Sequence, residues 1–309
     1  MKKNVILIIA AMAIFASCNE TVKKEQLKQE DFRWLTEQFA DLRIMRYQVP
    51  GFDSLSLQQK KFVYYLGEVA LAGRDIIYDQ NYKNNLAVRR TLEEIMKNYD
   101  GDRQVAEWQE FVVYLKRVWF SNGIHHHYSG DKFVPGFSRE YFEHLANNSP
   151  GSEFPLFKGL ELGELIDYLG DVIFDPAVAP KRVSSDISSD LVAASACNYY
   201  EGVTQAEAEA FYDAMKVPGD ETPISYGLNS KLVKEDGRLV EETYRIGGLY
   251  GEAIGRIIYW LEKAATVAET EKQQEALQVL IEYYRTGDLE LWDKYNVMWV
   301  EELSAEVDY

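Results

Sequence analysis

Cysteine is scarce in this chain: 309 residues contain two, Cys18 and Cys197, so no more than one internal disulfide can form. Histidine is nearly as scarce, with four residues, His125, His126, His127 and His144. They do not form the His-Glu-x-x-His pair that holds zinc on one helix face. No Gly-x-x-x-x-Gly-Lys phosphate cradle and no Gly-x-Ser-x-Gly nucleophile elbow appears. Positive charge is also short. Thirty-three Lys and Arg face 50 Asp and Glu, for a net charge of −17. With no basic patch to offset it, such a body repels nucleic acid and anionic headgroups. Beyond the first 18 residues, no run is apolar enough to cross a bilayer.

What the chain does have begins at its N-terminus. Lys2 and Lys3 precede an apolar run from Val5 to Phe15, then Phe15-Ala16-Ser17-Cys18. The run has the length of a signal-peptide core and is too short for a membrane-spanning helix. Small residues before a cysteine suit a lipoprotein signal peptidase, and the thiol would take a diacylglycerol. Residues 1–17 are therefore expected to be a lipoprotein signal peptide and Cys18 the lipid attachment site. Residues 18–30 are expected to be a polar tether, and the protein a lipid-anchored one of the cell envelope, periplasmic or outer-membrane. The alternatives are a plain secretory peptide with an incidental cysteine, or a hydrophobic N-terminal anchor. Cys197 would then have no disulfide partner. Its surroundings, Leu191 to Ala196, are small and largely apolar, which favours a buried structural cysteine over a nucleophile.

The whole chain is 47% hydrophobic with 21 Tyr, 14 Phe and 6 Trp, enough for a sizeable core. Periodicity predicts a first helix on Phe32, Leu35, Phe39, Leu42 and Met45, and a second over Gln58–Tyr78. Further helices follow over Asn85–Tyr99 and Val105–Phe120. After a loop, Ser138 should cap a short helix through Leu145. Helices over Glu161–Phe174 and Thr204–Lys216 come next. Between Tyr226 and Tyr244, alternating residues flank Asp236-Gly237, a strong hairpin signal. Helices over Tyr250–Thr270 and Lys272–Arg285 follow, with Gly287 as C-cap, and a short element starts at Leu289. The fold class is α+β, predominantly α-helical with a few antiparallel strands, including a hairpin near 226–245.

The oddest local feature is His125-His126-His127 in a loop running from Asn122 to Pro135. If the loop is extended, His125 and His127 point the same way and could share a ligand or metal. The other reading is a polar loop whose imidazoles bond backbone. Gly247-Gly248-Leu249-Tyr250-Gly251 precedes a helix and could hold an anion there, but Glu252 opposes that and favours packing glycines.

Several segments together resemble the dipeptidyl peptidase III family of zinc metallopeptidases. Tyr114 to Tyr128, with Trp119-Phe120-Ser121-Asn122-Gly123-Ile124-His125-His126-His127-Tyr128, is one. Gly130-Asp131-Lys132-Phe133-Val134-Pro135 continues it, and Ser225-Tyr226-Gly227-Leu228-Asn229-Ser230 is another. Leu261 to Ala264, Tyr283, Gly287 and Trp299-Val300 complete the ordered set. The resemblance implies a two-lobed peptidase that removes dipeptides from the N-termini of short peptides, using zinc held by a His-Glu-x-x-Gly-His helix. Residues 31–309 would form most of its helix-rich lower lobe. The chain contains no such zinc motif, so it is expected to bind no zinc and to be inactive alone. The resemblance puts His126, Tyr128 and Asp308 on the substrate side, with Asp308 near an acid that receives the substrate's ammonium. Asp308 could equally be a frayed terminal acid. The expected partners are short peptides. A reading of a different class is a non-catalytic lipoprotein that binds peptides or a protein partner.

Overall fold

The structure is a computed structural model that describes residues 32–157 and 159–309. The signal sequence, Cys18 and the tether lie outside the described residues. The chain divides into two units, one ending at Asp53 and one running from Ser54 to Tyr309.

In the first unit, the expected helix over Phe32–Met45 is instead a hairpin. Strand β1 (Leu35–Phe39) pairs antiparallel with β2 (Leu42–Met45). The apolar residues that suggested a helical stripe are cross-strand partners: Leu35 faces Met45 and Phe39 faces Leu42. A three-to-four spacing reads as helix only while the chain keeps direction. Here it reverses at Ala40, whose φ of 47° closes the turn.

The second unit starts with α1 (Leu57–Ala72), fixed by a capping box. The Ser56 hydroxyl accepts from the Gln59 amide at 3.2 Å, and the Gln59 side chain accepts from the Ser56 amide at 2.8 Å. The expected single helix to Tyr78 breaks at Gly73, and α2 runs Arg74–Asn81. A Cβ on Gly73 would lie 3.4 Å from Ile257, so the glycine lets a later helix approach closely.

Helices α3 (Asn85–Asn98), α4 (Ala106–Ser121), α5 (Arg139–Asn147) and α6 (Leu162–Phe174) surround one core. Leu92, Ile95, Phe111, Leu115, Phe142, Leu165 and Leu169 are sealed in it. Ser138 caps α5 as predicted, accepting from the Tyr141 amide at 3.1 Å.

A short strand β3 (Tyr200–Glu201) precedes α7 (Gln205–Asp213), which Thr204 caps. The predicted hairpin is β4 (Ser230–Glu235) and β5 (Arg238–Thr243), turning at Asp236 and Gly237, both at positive φ. It does not stand alone, because β3 adds in parallel to β4 with Tyr200 opposite Leu232. A two-residue strand leaves too little pattern to be legible in sequence. β4 is buried through its first four residues, so it does not alternate cleanly. Lys231, 8% exposed, is paired with the Glu201 carboxylate of β3.

Helices α8 (Gly251–Ala265), α9 (Glu271–Thr286) and α10 (Leu289–Glu301) pack with α1 around a second core. Ile254, Ile257, Ile258 and Leu261 face inward as predicted, and Gly287 at φ 75° ends α9. α10 runs well past the expected short element. Helix α2 serves both cores, giving Tyr78 to the first and Ile76 to the second. Asp79 beside them accepts from the Tyr250 hydroxyl at 2.6 Å and the Asn198 amide at 2.9 Å. Among the described residues, no helix is long and apolar enough to cross a membrane.

Candidate functional site

The histidine loop is built on the end of α4. Asn122 leaves the helix in the left-handed region, and Gly123 follows at φ 146°. The buried Asn85 side chain holds the start of the loop. Its carbonyl accepts from the Ile124 amide at 3.1 Å, and its NH2 donates to the Tyr78 carbonyl at 3.0 Å. From there the chain folds back on itself. The Phe133 amide bonds Ile124, the His126 amide bonds Asp131 and the Gly130 amide bonds His126, at 2.8–2.9 Å.

The three histidines end in three environments. His125 is 2% exposed, and its Nε2 donates to the Ala179 carbonyl at 2.8 Å. Burial pushes its pKa down to about 4, so the ring is neutral. His126 Nδ1 accepts from the amides of Tyr128 (3.2 Å) and Ser129 (3.1 Å), ordering the loop tip. That fixes its proton on Nε2. The His127 ring packs against Phe120, His126 and Tyr128, with centroids 5.0, 4.4 and 4.4 Å away. The loop is not extended as a ligand shared by His125 and His127 would require: it folds back and turns His125 inward, and the imidazoles of His125 and His126 bond backbone as the polar-loop reading has it. Tyr128, at the tip, is 87% exposed.

The segment after α6 straps this loop in place. Lys132 donates to the carbonyls of Asp175 (2.6 Å) and Val178 (2.9 Å), just past the C-terminus of α6. Burial draws its amine down to about 8. Asp131 pairs with Lys181 at 2.5 Å, and the Arg182 amide donates to the Gly130 carbonyl at 2.8 Å.

Asp308 lies between Val307 and Tyr309, which pack on the second core, whereas His126 packs on Phe133 of the first and Tyr128 on His126. One carboxylate oxygen of Asp308 accepts from the Trp299 indole at 3.0 Å and from the Tyr309 amide at 2.8 Å. With Glu302, Trp299 and Tyr309 it lines a cavity of about 200 Å³. The segment is not frayed. The Val307 carbonyl accepts from Gln273 at 2.9 Å, and its amide donates to Glu269 at 2.8 Å. Glu302, held below the usual carboxylate range by bonds from Thr270 and the Ser304 amide, adds a second negative charge. Chemically, this corner suits a cation.

Cys197 is half-buried beside a cavity of about 490 Å³, and burial pushes its thiol up, as a structural cysteine requires. A Cβ on Gly248 would lie 2.3 Å from the Thr243 carbonyl, which makes it a packing glycine. Among the described residues, no group of three or more His, Cys, Asp or Glu could hold a metal ion.

Sequence reasoning missed Asn85 and the Lys132 strap. The loop amide that Asn85 accepts from lies 39 positions away and the carbonyls that Lys132 meets 43 or more, where no local signal reaches.

Residues 228–309 match the model of peptidase family M49, the dipeptidyl peptidase III family. Similar solved structures include dipeptidyl peptidase III from Caldithrix abyssi, with 18% identity over 84% of this chain and a TM-score of 0.49. Another is dipeptidyl-peptidase III from Corallococcus sp. strain EGB, with 16% identity over 84% of this chain and a TM-score of 0.45. The chain covers 35% of each of those two proteins. No curated protein matches it.

Proposed function

We propose that this chain supplies peptide-binding surface to a zinc-dependent dipeptidyl peptidase that releases dipeptides from peptide N-termini. The observation that carries this reading is the family M49 match over residues 228–309. That stretch includes the β4–β5 hairpin, α8 to α10 and the corner around Asp308. The ordered upstream motifs and the exposed Tyr128 support it. In this reading Asp308 receives the substrate's N-terminal ammonium, while Tyr128 and His126 contact the peptide. Catalytic zinc and the water it activates are the family's, and the 309-residue chain alone does not hydrolyse peptides. Cys18 carries the lipid, which puts the activity on peptides in the cell envelope.

The test pairs two measurements on the purified chain. A tetrapeptide with a free amine should bind at least about tenfold more tightly than its N-acetylated form, a preference that Asp308→Asn should erase. A dipeptidyl-arylamide should stay uncleaved, with or without added zinc. Equal binding of the two peptides would remove Asp308 from its role. Zinc-dependent cleavage by this chain alone would overturn the division of labour.

A further inference from the structure

One cavity of about 300 Å³ takes no part in the peptide reading. It lies between the end of the histidine loop and the end of α6. Phe133, Val134, Phe174 and Pro176 give it apolar walls, and Asp131 and Lys132 are its only charged lining residues. Those two charges are not equivalent. Asp131 is already neutralised by Lys181 at 2.5 Å. Lys132 has no carboxylate in salt-bridge range among the described residues, and its Nζ meets two backbone carbonyls. An ammonium has three N–H donors, so one remains. Burial outweighs the attraction of the Asp175 carboxylate, which stays outside salt-bridge range, and draws this amine down to about 8. A carboxylate in the cavity would supply both the third acceptor and the direct ion pair that Asp175 does not make. The walls, in turn, call for an apolar body. The volume sits at the lower end for ligand sites, enough for about one aromatic side chain.

We propose that this cavity binds a small apolar carboxylate, its acid group on Lys132 Nζ and its body between Phe133 and Phe174. The proposal does not rest on the peptidase reading, since it uses neither Asp308 nor a metal.

The probe is phenylacetate, titrated into the purified 309-residue chain by calorimetry or ligand-observed NMR, with phenethylamine as the control of opposite charge. Phenylacetate should bind saturably and phenethylamine should not. Lys132→Met should weaken phenylacetate at least about tenfold, the scale of a lost charge-assisted bond. Lys132 also caps α6, so a second variant guards against misfolding. Val134 is 83% exposed, and Val134→Glu places a negative charge at the rim without touching the carbonyl contacts. It should weaken phenylacetate about threefold or more. N-acetylphenylalanine separates the sources. Binding as tight as phenylacetate assigns the site to a peptide's C-terminal residue, and weaker binding assigns it to a free acid. No saturable phenylacetate binding, equal binding of phenethylamine, or unchanged affinity in both variants would overturn the site.

Discussion

Gly123 and Asn85 approach so closely that a Cβ on Gly123 would lie 2.2 Å from the Asn85 amide nitrogen. The histidine loop leaves α4 at this point, and the glycine is required there twice over, by space and by its φ of 146°.

Gly123→Ala should therefore destabilise the protein by about 2–4 kcal/mol, from backbone strain plus displacement of a buried side chain. Asn85→Ala should cost a similar amount, because the Ile124 amide and Tyr78 carbonyl would both lose a partner. Urea denaturation of both variants is the measurement. A loss below about 0.5 kcal/mol in either would show that the loop is not anchored there.

His125 should impose a pH dependence. Its folded pKa, about 4, lies below the ordinary imidazole value of about 6.5. The unfolded chain thus takes up the proton first on acidification. The contribution is complete above pH 6.5 and is lost as pH falls toward 4, a difference of order 3 kcal/mol. Unfolding free energies of wild type and His125→Asn between pH 7 and 4.5 should diverge in slope, with wild type the steeper. Parallel profiles would mean that His125 does not titrate as described.

Ala40 holds a left-handed turn that favours glycine. Ala40→Gly should stabilise the β1–β2 hairpin by about 0.5–1 kcal/mol. Hydrogen exchange at the paired amides of this hairpin should slow accordingly. Faster exchange would place the turn elsewhere.

Cys18 can be tested without any structural measurement. Wild-type protein expressed in a bacterial host should partition into detergent and carry the mass of a diacylglyceryl cysteine. Cys18→Ser should yield aqueous, unlipidated protein. An aqueous wild type cleaved elsewhere would support the plain secretory alternative.

Much of the helical framework was legible because its signals are local. Ser138, Glu161 and Thr204 cap the helices their positions announce, Gly287 ends α9, and Asp236-Gly237 turns the hairpin. Where a local pattern admitted two folds, it misled. Phe32 to Met45 carries helical spacing, yet its apolar residues meet across a hairpin. The helix expected over Gln58–Tyr78 breaks at Gly73, where Ile257 packs from 184 positions away. The surroundings of the candidate residues were not legible. Tyr128 and Asp308 were candidates only through the family resemblance, while the inward turn of His125 depends on the Ala179 carbonyl, and the charge environment of Lys132 on the end of α6. Contacts of that range are made by the fold as a whole.

Asp79 ties α2 to α8 through Tyr250, while its neighbours Ile76 and Tyr78 insert into opposite cores. A chain with two hydrophobic centres can ordinarily lose one and keep the other. Here the partition wall is common property, so melting either side strips cover from its neighbour. Residues 54–309 should therefore come apart in a single step, and damage near the histidine loop should be felt at the α8–α10 side as lost stability rather than as a local tear.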